Sequence, residues 1–250
     1  MPVRDDSVIK GELRERLRGA RSVFVLTGAG VSAESGVPTF RGGGGAAVWK
    51  GMPFDVISSA SMVRSNLPEV WEWFDYRRGV LEGCRPNPAH EALAGWQKKF
   101  DRFTLATQNI DGLHAEAGSR DVLELHGSIR RARCLACGAK EDLRQKPSDV
   151  RPPACEKCGG HMRPDAVLFG EMLPADVWGE AAEGAAASDV CFVVGTSAIV
   201  YPAAGLPLAA KRAGAFLVEV NPEPTPLSDA CDVTLRGPAG EVLPVIADSF

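Results

Sequence analysis

The sequence predicts an α/β fold in which helices cover both faces of a parallel sheet. The first observation behind this prediction is that short apolar runs of strand length alternate with segments of helical character along the 250 residues. The second is that glycine and polar residues recur directly after the apolar runs, at the edge of a parallel sheet where ligands bind. The third is a change of composition between residues 133 and 160 to cysteine, glycine, lysine and proline, which indicates an inserted module.

The individual elements follow from local patterns along the chain. Residues 8–17 have helical spacing and are rich in arginine and glutamate, and residues 22–27 form an apolar strand that leads into glycines. Four glycines at 42–45 predict a mobile loop, and the stretch 53–96 is predicted to be helical. Another helix is predicted at 181–187. Further strands are predicted at 102–107, 121–125, 166–169, 189–194, 215–220 and 231–235.

Composition and charge disfavour two classes of partner. The formal net charge is −4, whereas a nucleic-acid-binding protein usually has a basic face. The one basic run, Arg130, Arg131 and Arg133, is interpreted as a solvated surface. No stretch approaches the ~18 apolar residues of a membrane helix, and the first ten residues lack the apolar core of a signal peptide. We therefore expect a cytoplasmic protein that binds neither membranes nor nucleic acid.

A glycine-rich loop follows the first predicted strand. The segment from Gly28 to Ala33, GAGVSA, fits a dinucleotide-binding pattern in which glycines allow a tight turn and a close approach to a pyrophosphate. A purely structural turn is the alternative. An ordinary dehydrogenase would soon have a second strand that ends in an acidic residue, but Asp55 has no strand before it. The pattern favours a dinucleotide site with an unusual lid over a hydride-transfer enzyme.

Two cysteine pairs predict a zinc ion. Cys134 and Cys137 are separated from Cys155 and Cys158 by seventeen residues, which is zinc-ribbon spacing. Each pair can lie on a tight turn that directs two thiolates at one tetrahedral ion, and a glycine follows each pair. Four thiolates leave no position for water, so the metal is predicted to be structural. The other three cysteines are interpreted as ordinary thiols.

Polar side chains collect where two neighbouring strands are predicted to end. Gln108, Asn109 and Asp111 follow one strand, and His126 follows the next. A single histidine is more often structural than catalytic, but this one lies at the binding edge beside a predicted anion site. The other three histidines have no comparable context. The sequence thus makes His126 the candidate for acid–base chemistry.

These motifs occur together in an order that resembles the sirtuin family, and within it most closely the bacterial-type, class III members. The resemblance covers about residues 17–245. It is carried by GAGVSAESGVPTFRG at 28–42, TQNIDGLH at 107–114, ELHGS at 124–128, the cysteine pairs, RPDAVLFGE at 163–171, GTSAIVYPAAG at 195–205 and VNP at 220–222.

The resemblance implies a single domain, residues 1–250, with a Rossmann-like NAD-binding part and two inserted modules. The Rossmann-like part would comprise residues 1–50, 100–130 and 162–250. A small helical module would occupy residues 51–99, and the zinc-ribbon module residues 131–161.

The resemblance also implies an NAD-dependent protein-lysine deacylase, mainly a deacetylase, with possible desuccinylase or demalonylase activity. In the family, the acyl oxygen of the modified lysine attacks the ribose carbon that bears nicotinamide. A histidine base then activates a ribose hydroxyl, and the products are nicotinamide, O-acyl-ADP-ribose and free lysine. By position, His126 is that base, and Asn109 and Asp111 hold the nicotinamide and its ribose.

The remaining cofactor contacts are carried over by position in the matching motifs. Phosphate contacts are implied for Gly28, Ala29, Gly30 and Ser32, and Phe40 with Arg41 would close over the reacting end. Further contacts are implied for Gln108 and, in the adenosine half, for Gly195, Thr196, Ser197, Asn221, Glu223 and Ala239.

The acylated-lysine substrate is expected to lie as an added strand between two segments. The first segment, 167–171, offers Val167, Phe169, Gly170 and Glu171, and the second, 197–201, offers Val200 and Tyr201. In the helical module, family members that remove acidic acyl groups carry a Tyr-x-x-Arg pair. Here Phe74 takes the tyrosine position and Arg77 the arginine position, although Arg77 could also be a solvated helix residue. Asp165 and Leu168, which replace more usual residues, are expected to border the substrate cleft.

Three other functions compete with this interpretation. A mono-ADP-ribosyltransferase would share the first chemical step on the same scaffold but use another acceptor. A zinc-ribbon nucleic-acid-binding module would require a basic face. A zinc-catalysed deacetylase would require an open metal position, which a four-cysteine site lacks.

The protein is expected to be a monomer.

Overall fold

A six-stranded parallel sheet forms the centre of the computed structural model, which describes residues 9–39, 48–144 and 150–247. The strand order is β11-β10-β9-β1-β4-β5, and each neighbouring pair is parallel. This confirms the predicted Rossmann-like α/β class. The strands are Ser22–Thr27 (β1), Val48–Trp49 (β2), Met52–Pro53 (β3), Arg102–Thr107 (β4), Leu123–Glu124 (β5), Gly127–Cys134 (β6), Lys140–Asp142 (β7), Met162–Ala166 (β8), Val190–Val194 (β9), Phe216–Val220 (β10) and Val233–Leu235 (β11).

The central strands are buried along their whole length because helices cover both faces of the sheet. Every residue of β1, β9 and β10 is buried. β1 lies between β4 and β9, so the chain continues outward in opposite directions on its two sides. The carboxyl end of β1 is therefore the crevice where an open parallel sheet binds its ligand.

Helices pack on this sheet and on a second core. The α-helices are Arg14–Gly19, Phe54–Ile57, Ala60–Ser65, Leu67–Leu81, Pro88–Trp96, Leu113–Glu116, Ala175–Ala186, Leu206–Arg212 and Ala239–Ala247. A π-type turn spans Ile9–Leu13, and 3₁₀ turns span Ala29–Ser35, Ala203–Gly205 and Ser228–Ala230. The predicted helical stretch 53–96 thus consists of four helices, and asparagine side chains cap two of them at Asn66 and Asn87.

A separate antiparallel sheet, β7-β6-β8, carries the cysteine-rich segment. Here the structure differs from the predicted strand at 166–169, because the strand is Met162–Ala166 instead. Its sequence, MRPDA, gives no strand signal, yet all five residues are buried, and the charge of the buried Arg163 is paired with Glu171. The predicted strand at 121–125 is also shorter than expected, at Leu123–Glu124.

The boundaries of the Rossmann-like part, the helical module and the zinc-ribbon module stay predictions. Strand pairing defines the sheets but does not define where one module ends and the next begins. The four glycines at 42–45 lie outside the described residues. Within those residues, none of the helices is both long and apolar enough to span a membrane.

Candidate active site

The glycine-rich loop packs directly against the loop that follows β9. Gly28 N–H donates to Val194 O at 3.0 Å, and Gly30 N–H donates to Gly195 O at 2.7 Å. A Cβ on Gly30 would lie 2.7 Å from the Cα of Gly195, closer than real side chains approach. The loop continues as a 3₁₀ turn, Ala29–Ser35. Glycine is therefore needed here because the two loops pack closely. The sequence pattern had explained these glycines only by the tight turn and by the approach of a phosphate.

Ser32, Asn109 and Asp111 form one hydrogen-bonded cluster at the carboxyl ends of β1 and β4. Ser32 Oγ donates to Asp111 Oδ2 at 2.8 Å and accepts from Asn109 Nδ2 at 3.1 Å. Asn109 Nδ2 also lies 3.1 Å from Gly28 O. Asp111 is buried, and its other oxygen accepts from Leu113 N at 2.9 Å. The cluster fixes a buried carboxylate and an amide beside the glycine-rich loop.

His126 is oriented by the polar strand end next to it. Its Nδ1 lies 2.8 Å from the carbonyl oxygen of Gln108. Because a carbonyl only accepts, Nδ1 carries the hydrogen, and the neutral ring keeps a free lone pair on Nε2. Burial lowers the pKa of His126, and the hydrogen bond to Gln108 opposes this shift only in part. Gln108 in turn donates through Nε2 to Thr196 Oγ1 at 2.9 Å.

Two further histidines lie behind this cluster, and sequence reasoning gave them no role. His90 Nε2 is 3.3 Å from Ser32 Oγ, and His114 Nε2 is 2.9 Å from Thr27 Oγ1. Burial lowers the pKa of His90 and lowers that of His114 to about 3, so both rings are neutral near pH 7. The available signal was local: Asn87 caps its helix, and His90 Nδ1 accepts from the Asn87 N–H in a capping box.

The residues assigned to the adenosine half follow the ends of β9, β10 and β11. Gly195 N–H donates to Val220 O at 2.9 Å, which joins the first two of these loops. Asn221 Nδ2 donates to Glu223 O at 2.7 Å. Thr196 and Ser197 continue the β9 loop, and Ala239 begins the last helix. The structure thus places these residues along one sheet edge, while Phe40 and Arg41 lie outside the described residues.

The segment expected to pair with a substrate strand is already hydrogen-bonded within the protein. The backbone N–H of Phe169 donates to Ser58 O at 2.9 Å, and its carbonyl accepts from Ala60 N at 3.0 Å. Four of the five N–H groups of the segment have internal acceptors; they belong to Val167, Leu168, Phe169 and Glu171. Gly170 is the fifth residue. The segment therefore offers fewer main-chain donors to a substrate than the sequence implied.

Side chains at this cleft differ in exposure. The Phe169 and Tyr201 side chains are exposed, and Val200 lies beside Tyr201. Glu171 forms an ion pair with the buried Arg163. Burial would raise the pKa of Glu171, but the guanidinium of Arg163 outweighs this effect and lowers it.

Asp165 and Leu168 do not present free side chains to this cleft. Leu168 is 4% exposed and belongs to the second core, and the Asp165 carboxylate is buried among cations. Its oxygens lie 3.2 Å from Arg131 Nε and 3.3 Å from Lys140 Nζ. That both residues border the substrate cleft stays a prediction; the structure shows that Leu168 packs into the second core and that Asp165 is ion-paired within the antiparallel sheet.

Phe74 and Arg77 lie together on the helix Leu67–Leu81. Phe74 is 1% exposed. The Arg77 guanidinium carbon is 6.0 Å from the centre of the Phe74 ring and 5.7 Å from that of Trp73. Burial lowers the Arg77 pKa to about 10, and the charge of Asp111 opposes this shift. The guanidinium thus lies over aromatic rings and within the field of the buried carboxylate, which argues against a solvated helix position.

Four thiols form a cluster with the dimensions of a zinc site. The sulfurs of Cys134, Cys137, Cys155 and Cys158 all lie within 4.8 Å of one another, with 3.5 Å between Cys134 and Cys158 and 3.7 Å between Cys137 and Cys155. A tetrahedral Zn²⁺ with bonds of about 2.3 Å needs sulfurs about 3.8 Å apart. Gly138 and Gly159 close the two turns by donating to Cys134 O and Cys155 O. The donor set fits a closed, structural zinc site.

Known proteins match this chain over nearly its whole length. The model of the Sir2 family matches residues 28–202. NAD-dependent protein deacylase 2 of Pyrobaculum aerophilum is 48% identical over 232 residues, which cover 93% of this chain and 92% of the relative. NAD-dependent protein deacylase of Aquifex aeolicus is 44% identical, with coverage of 91% and 94%.

Solved structures agree in fold. A Sir2 homolog–NAD complex superposes with a TM-score of 0.88 at 40% identity, covering 95% of this chain and 92% of that chain. A structure of Sir2 bound to acetylated peptide gives a TM-score of 0.83 at 31% identity, with coverage of 94% and 96%. Since the family model spans most of the chain and these relatives match it nearly end to end, the chain belongs to the Sir2 family.

Proposed function

We propose that this protein is an NAD-dependent protein-lysine deacylase. The observation that carries the proposal is the arrangement of His126 beside the Ser32–Asn109–Asp111 cluster and the glycine-rich loop. A neutral imidazole with one nitrogen held by a carbonyl and the other free is equipped to act as a general base. Relatives named NAD-dependent protein deacylase and a related structure that contains an acetylated peptide support this activity.

The residues along the sheet edge fit an extended dinucleotide. Close packing of Gly28 and Gly30 on the β9 loop leaves their backbone at the floor of the crevice. When bound, NAD supplies a ribose carbon that is electrophilic because nicotinamide can leave from it. The pyrophosphate would lie against the glycine-rich loop and Ser32, and the nicotinamide end against Asn109 and Asp111. The adenosine end would reach Gly195–Ser197, Asn221, Glu223 and Ala239.

The side chains of this chain have separable tasks. His126 Nε2 would take a proton at the reacting end, and Gln108 holds the ring in the tautomer that can do so. Asn109 and Asp111, fixed by Ser32, would orient the nicotinamide ribose. Phe40 and Arg41, which lie outside the described residues, are proposed to cover the reacting end. The zinc would hold the cysteine-rich module together and take no part in the chemistry.

The acylated lysine would enter between the segments 167–171 and 197–201. Because most N–H groups of the first segment are already used, we propose that the peptide pairs through Gly170 and through the second segment. The acyl chain would then point towards Phe74 and Arg77. Acylated-lysine proteins are the proposed partners. That the protein is monomeric, cytoplasmic and without nucleic-acid partners stays a prediction.

Mass spectrometry of acylated peptides, with and without NAD, tests the proposal. Loss of the acyl group that requires NAD, with formation of nicotinamide and O-acyl-ADP-ribose in equal amounts, is the expected result. Transfer of ADP-ribose to the peptide or to another protein would instead identify an ADP-ribosyltransferase. Deacylation that proceeds without NAD would contradict the proposal.

A further inference from the structure

A charged residue lies in the middle of a strand that is otherwise apolar. β10 has the sequence FLVEV, and all five residues are buried. Glu219 is 1% exposed. A buried carboxylate is costly unless it is paired and hydrogen-bonded, and an apolar residue would suit this position of a parallel sheet better. The position therefore needs an explanation beyond the stability of the sheet.

Three donors from outside the strand converge on this carboxylate. Thr225 Oγ1 donates to Glu219 Oε1, and Ser228 Oγ donates to Oε2 at 2.5 Å. Arg236 Nη1, from the residue that follows β11, lies 2.7 Å from Oε2. The Ser228 hydroxyl is also an acceptor, because the backbone N–H of Thr225 donates to Ser228 Oγ at 2.8 Å. The carboxylate thus organises both the loop after β10 and the chain after β11.

Arg236 extends this network to the loop residues assigned to the adenosine half. Its Nη1 is 3.2 Å from Glu223 O, and its Nη2 donates to Ser228 Oγ at 3.0 Å. Asn221 Nδ2 donates to the same Glu223 carbonyl at 2.7 Å. The backbone between Asn221 and Ser228 therefore packs around one ion pair, in which the carboxylate of Glu219 is buried and the guanidinium of Arg236 is half-buried.

We infer that Glu219 and Arg236 are positioning residues that hold the 221–228 loop in the conformation that binds the adenosine half of NAD. This inference rests on the proposed function. A loop that is already ordered before binding loses less conformational freedom when the ligand arrives, so the ion pair contributes affinity without touching the ligand. Replacement of a buried ion pair by apolar residues of similar size often preserves or raises stability, so its loss can be separated from unfolding.

The test is the double variant Glu219→Leu/Arg236→Met. We expect a melting temperature close to that of the wild type. Binding of NAD and of ADP-ribose, measured by calorimetry, is expected to weaken about tenfold or more. The KM for NAD rises in proportion, whereas kcat at saturating NAD and the KM for the acylated peptide stay unchanged, since the reacting end is not altered. Arg144→Met, which breaks an exposed ion pair with Asp142, is the control and leaves NAD binding unchanged.

Ser228→Ala gives an independent measurement if the double variant does not fold. It removes one donor to Glu219 and one acceptor for Arg236, and we expect NAD to bind about threefold or more weakly with kcat unchanged. Wild-type affinity for ADP-ribose in a folded double variant, or in Ser228→Ala, would overturn the inference. Failure of the wild type to bind either NAD or ADP-ribose would contradict the proposed function itself.

Discussion

At the scale of single residues, hydrogen-bond partners decide what each side chain can do. The carbonyl of Gln108 fixes the tautomer of His126, and Ser32 couples Asn109 to Asp111. None of these contacts joins residues that are adjacent in the sequence. Chemistry at the site therefore depends on the mutual placement of β1, β4 and the chain after β5.

We predict that His126→Ala lowers kcat for deacylation by about 10²–10⁴-fold while NAD still binds, because only proton transfer is removed. Steady-state kinetics and NAD calorimetry measure the two effects. His161→Ala is the matched control, since His161 is exposed at the end of the cysteine module and its replacement is expected to leave turnover unchanged. Near-normal turnover in His126→Ala would refute the assignment.

The pH dependence of kcat/KM tests the same assignment of His126 as the general base. Burial lowers the pKa of His126, so the ring is neutral and able to accept a proton at pH 7. Acidification protonates the base, and kcat/KM is expected to fall with a midpoint below the ordinary histidine value of about 6.5. A midpoint above that value would show that the base is another group or that the ring is stabilised as a cation.

Selectivity for the acyl group belongs to the same scale. We predict deacetylation as the main activity, with weaker removal of succinyl or malonyl groups that depends on Arg77. Phe74→Tyr restores a hydroxyl donor, and a hydrogen bond to a charged group contributes about 1.5–3 kcal/mol, or roughly ten- to a hundredfold. Phe74→Tyr is thus expected to raise desuccinylation relative to deacetylation.

The measurement is kcat/KM for acetyl and succinyl versions of one peptide, with Arg77→Met as the second variant. Arg77→Met is expected to abolish the residual activity on the acidic chain. If the wild type removes succinyl groups faster than acetyl groups, or if Arg77→Met has no effect on their removal, this account of the pocket is incorrect.

At the scale of elements, the cysteine module and the helical region share one core. Cys134 and Cys155 pack in the same cluster as Trp71, and Trp71 Nε1 donates to Met162 O on β8 at 2.8 Å. The zinc turns therefore support more than their own sheet. Distortion of the cysteine cluster is expected to reach the helix Leu67–Leu81, which carries Phe74 and Arg77.

We predict that Cys134→Ser and Cys158→Ser lower the free energy of unfolding by several kcal/mol or cause aggregation, because assembly of the metal site contributes folding energy. Metal analysis and thermal melts check this. Cys84→Ser is the control, since Cys84 packs in the same core but is not one of the four zinc-site thiols, and a hydroxyl can replace its thiol as the donor to Val80 O. A metal-free protein that keeps both its melting temperature and its activity would contradict the prediction.

At the scale of the whole molecule, buried histidines link stability to pH. Burial lowers the pKa of His90, and that of His114 to about 3, whereas both titrate near 6.5 in the unfolded chain. Between these values the unfolded chain binds more protons than the folded protein. The stabilisation is therefore complete above pH 6.5 and is lost as the pH falls towards 3.

We predict that the free energy of unfolding decreases between pH 7.5 and 5, by about 1–2 kcal/mol from His114 alone. Urea unfolding at several pH values measures this slope. His114→Gln keeps a donor for Thr27 but removes the titrating ring, and is expected to flatten the curve. An unchanged slope in that variant would mean that His114 does not control the acid sensitivity.

Part of this fold can be predicted from local sequence patterns. β1, β9 and β10 are visible as short, mainly apolar runs because both of their faces are buried, and buried positions are mostly occupied by apolar residues. The cysteine turns and the glycine-rich loop were also visible, since their spacing is set by backbone geometry over a few residues. His126 could be proposed because the ends of parallel strands meet at one edge.

The rest depended on contacts between distant parts of the chain. β8 forms from MRPDA by pairing with β6, its buried Arg163 is ion-paired with Glu171, and Phe169 hydrogen-bonds to Ser58 and Ala60 instead of extending that strand. The partners of Glu219 come from loops after two different strands. A buried charge is stable only where its partners converge. The sequence around a buried charge does not reveal its partners, because they lie far away in the chain and come together only when it folds.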